Sequence, residues 1–175
     1  MLADFRLSRD SNLQAHSFGE RMKFLLTTAL ARDPDLLLLD EPTIGLDVHA
    51  QEVLADEIGR LRQSDSRSIV ISSHQIGFLE QMADHVAILH KGKLLAMDRV
   101  DRLLGRYRII DTLMPDGLKI VWDGVSLIDY AEGRAKMLVD LTVTDLTRLT
   151  AQGVTVVEDA MPSLQELVSA LTQGS

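Results

Sequence analysis

Residues 34–47 read "PDLLLLDEPTIGLD". Leu36 to Leu39 form a short, continuous apolar run, bounded by Pro34 and by the carboxylates Asp40 and Glu41 with Pro42 behind them. A run of that length without alternation predicts a strand buried on both faces of a parallel sheet. In open α/β sheets ligands bind beyond the carboxyl ends of the strands, which is where Asp40 and Glu41 fall. Neighbouring residues of a strand point to opposite sides, so the two carboxylates can take different work. One suits a hydrated Mg2+, which favours carboxylate and water oxygens. The other suits orientation or deprotonation of an attacking water.

On either side of this run lie amphipathic helical patterns. Upstream, Met22, Leu25, Leu26, Ala29 and Leu30 recur at helical spacing and predict one buried face. Ser17 is a good N-cap for that helix, with Glu20 three residues on to complete a capping box, and Asp33-Pro34 ends it. Downstream, Asp47 caps a second helix with Val53, Leu54, Ile58 and Leu61 inward. "SRSIVISSH" (66–74) then reads as a second buried strand, with His74 at its carboxyl end. Helix, strand, helix, strand is the alternation of an α/β sheet. Residues 75–83 read as helical, "HVAILH" and "KLLAM" as a hairpin turning at Lys91-Gly92, and "DRVDRLLGRY" as a short helix.

After Tyr107 the texture changes. "LKIVWDG", "VSLIDY" and "AKMLVDL" read as short strands between Asp-Gly or Glu-Gly turns. Residues 143–152 read as a helix closed by Gly153, and "VTVVED" as another strand. A last helix begins at Pro162, with Leu164, Leu167, Val168 and Leu171 inward. The expected organisation is therefore an α/β sheet domain over 1–105 and a small α+β accessory domain over 106–175, with Trp122 in the latter's core. Residues 1–16 are mixed and polar and read as a short helix and a loop.

The chain has 175 residues, 46% hydrophobic and 25% charged, as a globular domain or two would have. Its 18 basic and 26 acidic residues give a net charge of −8, which argues against nucleic acid and against a polybasic membrane surface. Cysteine is absent, so disulfides, thiol catalysis and Cys-based zinc sites are excluded. "MLADFRLSRD" has no apolar signal core, and no run approaches the roughly 18 residues of a membrane span. His85 and His90 lie on opposite faces of their strand and make no metal site.

Taken singly these features are generic. A strand ending in Asp-Glu is common, a His after a strand is usually a satisfied polar group, and "SFGE" is a helix cap. Their order and spacing are not generic. From Ser17 to about Val100 the chain resembles the C-terminal half of the ATP-binding subunit of ABC transporters, a P-loop NTPase fold. "HSFGE" is similar to the signature motif, usually Leu-Ser-Gly-Gly-Gln. "LLLLDEP" is similar to Walker B with its catalytic Glu, "TIGLD" to the D-loop, and "ISSH" to the switch with its His.

The resemblance implies roles. Asp40 would act on water-bound Mg2+, Glu41 would be the general base, and His74 would contact the γ-phosphate. Asp47 would reach across a dimer interface. Ser17 and Gly19, with Glu20 beside them, would face the γ-phosphate of ATP held by a second ATPase subunit. A helix N-terminus favours phosphate independently of any family, and Gly19 lets backbone approach closely. Three positions depart from the family pattern: His16 for Leu, Phe18 for Gly and Glu20 for Gln. The last puts a carboxylate near a phosphate position.

No Gly-rich loop ending in Gly-Lys-Ser/Thr occurs in the chain. The family's Walker A loop, adenine-stacking aromatic and Q-loop would precede residue 1. The expectation is that the chain alone builds no ordinary ATP pocket and is inactive, ATP and Mg2+ binding only once the missing half is supplied. A central strand of four or five apolar residues would be missing too, on the order of 10 kcal/mol at about 1.5–3 kcal/mol each, against a typical domain stability of about 5–15 kcal/mol. The isolated chain is expected to be marginal or to need a partner. It reads as a truncated ABC transporter ATPase, as one piece of a split ATPase, or as a non-enzymatic partner offering its signature face to another subunit. "MPSLQELVSALTQ" is similar to the closing segment of exporter ATPases that work with a separate membrane permease. That implies a place at the cytoplasmic face of the membrane. Soluble ATPases of DNA repair or translation share the same head and are the other class.

Overall fold

The computed structural model describes residue 5 and residues 16–63, 66–115 and 122–173. The chain forms two compact units, residues 1–82 and 83–175.

The first unit contains α1 (Phe18–Ala31), β1 (Leu36–Asp40), α2 (Val48–Arg62), β2 (Ser68–Ser72) and α3 (Ile76–Glu80). β1 and β2 pair in parallel, Leu36 opposite Ser68 through Asp40 opposite Ser72. This is the α/β alternation the sequence predicts. The capping box of α1 is present, with Ser17 Oγ accepting from Glu20 N–H. Asp33, just beyond the helix, takes a left-handed φ of 51° that ends it before Pro34. Asp47 caps α2 by accepting from Ala50 N–H at 2.8 Å. α3 is shorter than the 75–83 expected.

Two expectations about burial need correction. β1 is not buried on both faces: Leu37 and Leu39 are in the core, while Leu36 and Leu38 are exposed, Leu38 at 66%. β2 alternates likewise, with Val70 on the open side. The reason is that α1 and α2 cover a single face of the pair. Leu37 and Leu39 join Leu26, Leu30, Ala50, Leu54, Ile58 and Leu61 in one core cluster. In α1 the buried stripe runs through Leu26, Thr27 and Leu30, and Leu25 lies on its flank, 62% exposed.

The second unit contains β3 (His85–His90), β4 (Lys93–Arg99), α4 (Val100–Arg106), β5 (Tyr107–Leu113), β6 (Val125–Ala131), β7 (Arg134–Asp140), α5 (Thr147–Ala151), β8 (Thr155–Ala160) and α6 (Leu164–Gln173). β3 and β4 form the expected hairpin, turning at Lys91 and Gly92, both at positive φ. The other four strands make an antiparallel sheet in the order β6-β7-β5-β8. Ile109, Leu138 and Leu167 belong to one core cluster; Ile110, Met137, Val139 and Leu149 belong to another, with Trp122 packed against it. Ser163 and Glu166 form a reciprocal cap before α6. The strand expected over "LKIVWDG" and the reading of residues 1–16 lie largely outside the described residues.

The sequence texture changes near residue 105, but the compact units divide after Met82. The hairpin accounts for the difference. Ile88, with Val86, Leu95 and Ala96 against it, shares a cluster with Leu103, Tyr107, Ile109 and Leu167. The hairpin thus packs with α4, β5 and α6 and belongs to their unit. Among the described residues, no helix is long and apolar enough to cross a membrane.

Candidate functional site

The carboxyl ends of β1 and β2 bring Asp40, Glu41 and His74 together. Glu41 leaves β1 with a left-handed φ of 46°, an uncommon conformation for a residue with a side chain. Its N–H donates to Ser72 O at 2.9 Å. Its carboxylate is gripped by the segment after β2. Oε1 accepts from the His74 N–H at 3.0 Å, Oε2 lies 2.9 Å from His74 Nδ1, and Ser73 Oγ donates to Oε2 at 3.3 Å. With Nδ1 paired to a carboxylate, the other ring nitrogen of the largely exposed His74 is left for a ligand.

Asp40 points the other way, onto the open face of the strand pair. Its Oδ1 accepts a hydrogen bond from Ser72 Oγ. The two adjacent carboxylates are therefore held by two adjacent serines, neither of which the sequence pattern singles out. The available signal was the run Ser72-Ser73-His74 at a strand end: small hydroxyls there have nothing apolar to pack on and face the preceding strand's acids. The same open face carries Leu36, Leu38 and Val70. It thus runs from apolar to acidic along the strand direction.

The fit of this end to a divalent cation rests on its donor set. Among the described residues, no three His, Cys, Asp or Glu side chains converge on one point. These described residues therefore form no dedicated protein cage there. Mg2+ does not require one, because it keeps several waters and takes one or two carboxylates plus substrate phosphates. An exposed Asp40 with one oxygen outside the serine bond matches that requirement.

The N-terminus of α1 meets the loop after Glu41. A Cβ on Gly19 would collide with the Gly45 carbonyl oxygen, so Gly19 is demanded by packing against this loop. Gly45 has a φ of +75°, and a Cβ there would lie 2.6 Å from the Phe18 ring. Lys23 Nζ lies 2.6 Å from Asp47 Oδ2, so Asp47 serves both as cap of α2 and as partner of α1. These bonds, to Lys23 first and then to Ala50 N–H, hold the Asp47 carboxyl below the usual range.

Ser17 and Glu20 are engaged with each other. Glu20 Oε2 accepts from both the Ser17 N–H and Ser17 Oγ, each at 2.8 Å. Those bonds lower the Glu20 pKa from its ordinary value, the backbone bond contributing most. The carboxylate at this helix end is thus turned back on the cap, where it supplies the negative charge that an N-terminus favours.

The chain is similar to several known proteins. Residues 6–80, less than half of the chain, match a family model described as "AAA domain, putative AbiEii toxin, Type IV TA system". An uncharacterized ABC transporter ATP-binding protein of Bacillus subtilis is 36% identical over 88 residues, 50% of this chain and 29% of that protein. An energy-coupling factor transporter ATP-binding protein of Staphylococcus saprophyticus is 30% identical over 129 residues, 70% of this chain and 45% of its own length. The bacitracin transport ATP-binding protein of Bacillus licheniformis is 40% identical over 92 residues, 53% of this chain and 30% of its own length. A solved structure titled "Structure of ATP binding subunit of ABC transporter" superposes with a TM-score of 0.54 at 30% identity, over 59% of this chain and 45% of that one. The chain spans less than half the length of each of these relatives.

Proposed function

This chain is related over half of its length or more to the nucleotide-binding domains of ABC ATPases, and on that premise we propose that it is an ATP-hydrolysing subunit of an ABC transporter whose phosphate grip comes from a polypeptide region other than these 175 residues. Glu41 acts as general base for the attacking water, held in place by Ser73 and His74. His74 donates from its outward ring nitrogen to the terminal phosphate, which, with Nδ1 on Glu41, takes a proton on both ring nitrogens. Asp40 holds water-bound Mg2+, which when bound neutralises charge on the transferring phosphoryl group. Ser17 and Gly19 present the N-terminus of α1 to a phosphate held by a second ATPase subunit. For that, the Glu20 carboxylate swings off the cap, since phosphate and carboxylate compete for the same donors. Asp47, already bonded to Lys23, faces the same dimer partner.

The observation that supports this most is the arrangement at the end of β1, where two neighbouring carboxylates are held apart and one is tied to a histidine by two contacts. The bare Leu36, Leu38 and Val70 face supports the need for another region. Parallel strands are stable when both faces are covered, and the uncovered face leads directly to Asp40.

Mg2+-dependent phosphate release from ATP tests this reading. The chain alone should release none. Adding a separate segment that carries a Gly-Lys-Ser/Thr loop should restore turnover. Turnover by the chain alone, or none in the mixture despite complex formation, contradicts it. For the wider assembly we propose export with a separate membrane permease at the cytoplasmic face, on the likeness of the segment Met161 to Gln173 to exporter ATPases. Co-purification with a permease tests that, and capture by a nucleic-acid machine instead contradicts it.

A further inference from the structure

We propose that Ser72 is a positioning residue for the cation: its hydroxyl aims the Asp40 carboxylate so that one oxygen faces outward for metal-bound water. This rests on the reading of Asp40 as the metal-holding carboxylate, and it assigns a role to a residue outside the motif that carries that reading.

The register sets the geometry. Ser72 is the residue paired with Asp40 in the parallel ladder, so both side chains rise from the same open face. Ser72 Oγ donates to Asp40 Oδ1. It also lies 3.3 Å from the Glu41 N–H, which can only donate. A hydroxyl has one proton and two lone pairs, so an N–H on its lone-pair side directs the proton to the carboxylate. The direction of the Ser72–Asp40 bond is thereby fixed by the backbone of the next residue. Asp40 keeps Oδ2, which has no hydrogen bond among the described residues, for a cation or its water. The same hydroxyl helps hold Glu41 at its left-handed φ of 46°. Ala at this position would release Asp40, while Glu41 keeps its bonds to the Ser72 carbonyl, Ser73 and His74.

Hydrogen-bond partners of metal-holding carboxylates typically contribute about 10–100-fold in metal affinity. The test is Mn2+ titration of the 15N-labelled full-length chain, reading paramagnetic broadening of individual amide signals, which detects weak binding. In the unsubstituted chain, broadening should centre on Asp40, Glu41 and Ser72 to His74. Asp40→Asn should abolish it. Ser72→Ala should need about 10-fold more Mn2+ for the same broadening, while amide shifts in α1 and α2 stay unchanged. Ser72→Thr, which keeps the hydroxyl, should restore the response. No selective broadening in the unsubstituted chain would overturn the metal reading of Asp40 and this inference with it. Broadening that is lost in Asp40→Asn but unchanged in Ser72→Ala would overturn the role of Ser72 alone.

Discussion

His74 holds Glu41 twice: its backbone N–H donates to Oε1 at 3.0 Å, and its ring Nδ1 lies 2.9 Å from Oε2. The backbone contact survives any substitution here except proline, whereas the ring contact does not. His74→Ala should therefore leave Glu41 near its place but remove the donor offered to phosphate. Turnover in the chain supplied with a phosphate-loop segment should fall about 10²-fold. Stability should change by less than about 0.5 kcal/mol, because the ring is largely exposed. Phosphate-release assays and urea unfolding of the same variant separate the two effects.

Gly19 and Gly45 should tolerate no side chain. Gly19→Ala drives a methyl into the Gly45 carbonyl, and Gly45→Ala combines a left-handed backbone with a clash against Phe18. Each should cost about 1–3 kcal/mol in urea unfolding. Gly59, whose added Cβ would meet nothing, is the control and should gain slightly as Ala within its helix.

Neighbouring leucines of β1 should behave oppositely. Leu39, 8% exposed, packs in the first unit's core, and Leu39→Ala should cost about 2–5 kcal/mol. Leu38→Lys should change the stability of the chain alone by less than about 0.5 kcal/mol, because Leu38 has no cover to lose. It should still block restoration of turnover by the phosphate-loop segment, since that segment has to cover this face. A strongly destabilised Leu38→Lys chain would show that the face is covered already.

In the second unit, Asp140 should mark the acid limb of stability. Burial raises its pKa, but bonds from Arg106 and Thr142 more than reverse that, so it lies below the usual carboxylate value. Arg106 Nε reaches both Asp140 oxygens, at 2.9 and 3.0 Å, and its guanidinium lies over the Tyr107 ring. A depressed folded pKa means the stabilisation is fully present above the unfolded value of about 3.9 and is lost as pH falls through the lower folded one. Asp140→Asn should cost about 1.5–3 kcal/mol at pH 7, with the gap to the unsubstituted chain closing below about pH 4. Denaturant unfolding from pH 7 to pH 2.5 reads this.

The α/β alternation, the caps at Ser17 and Asp47 and the meeting of Asp40, Glu41 and His74 were legible because each has a local signature: a period, a cap residue or a strand-end position. What escaped depends on what lies across from a residue. β5 went unread because Ile109 and Ile110 are adjacent and both buried, one in each core cluster, so a strand central to its sheet loses the alternation that marks a strand. The run Leu36 to Leu39 misled in the opposite sense. Four leucines imply cover on both sides, but helices within the first unit supply one. Ser72 and Ser73 were silent because a hydroxyl acquires meaning only through the carboxylate that the register sets beside it.

The most direct measurement is the rate of phosphate release by the chain together with a phosphate-loop segment, comparing Glu41→Gln with the unsubstituted chain at saturating Mg2+ and ATP. Gln keeps the size of Glu41 and can still accept from His74, but it cannot take a proton. If Glu41 drives water onto the phosphoryl group, release should fall by about 10²–10⁴-fold while ATP stays bound to the assembly. Release at an unchanged rate, with the variant folded and ATP bound, would contradict the assignment of the β1 terminus as the hydrolytic centre.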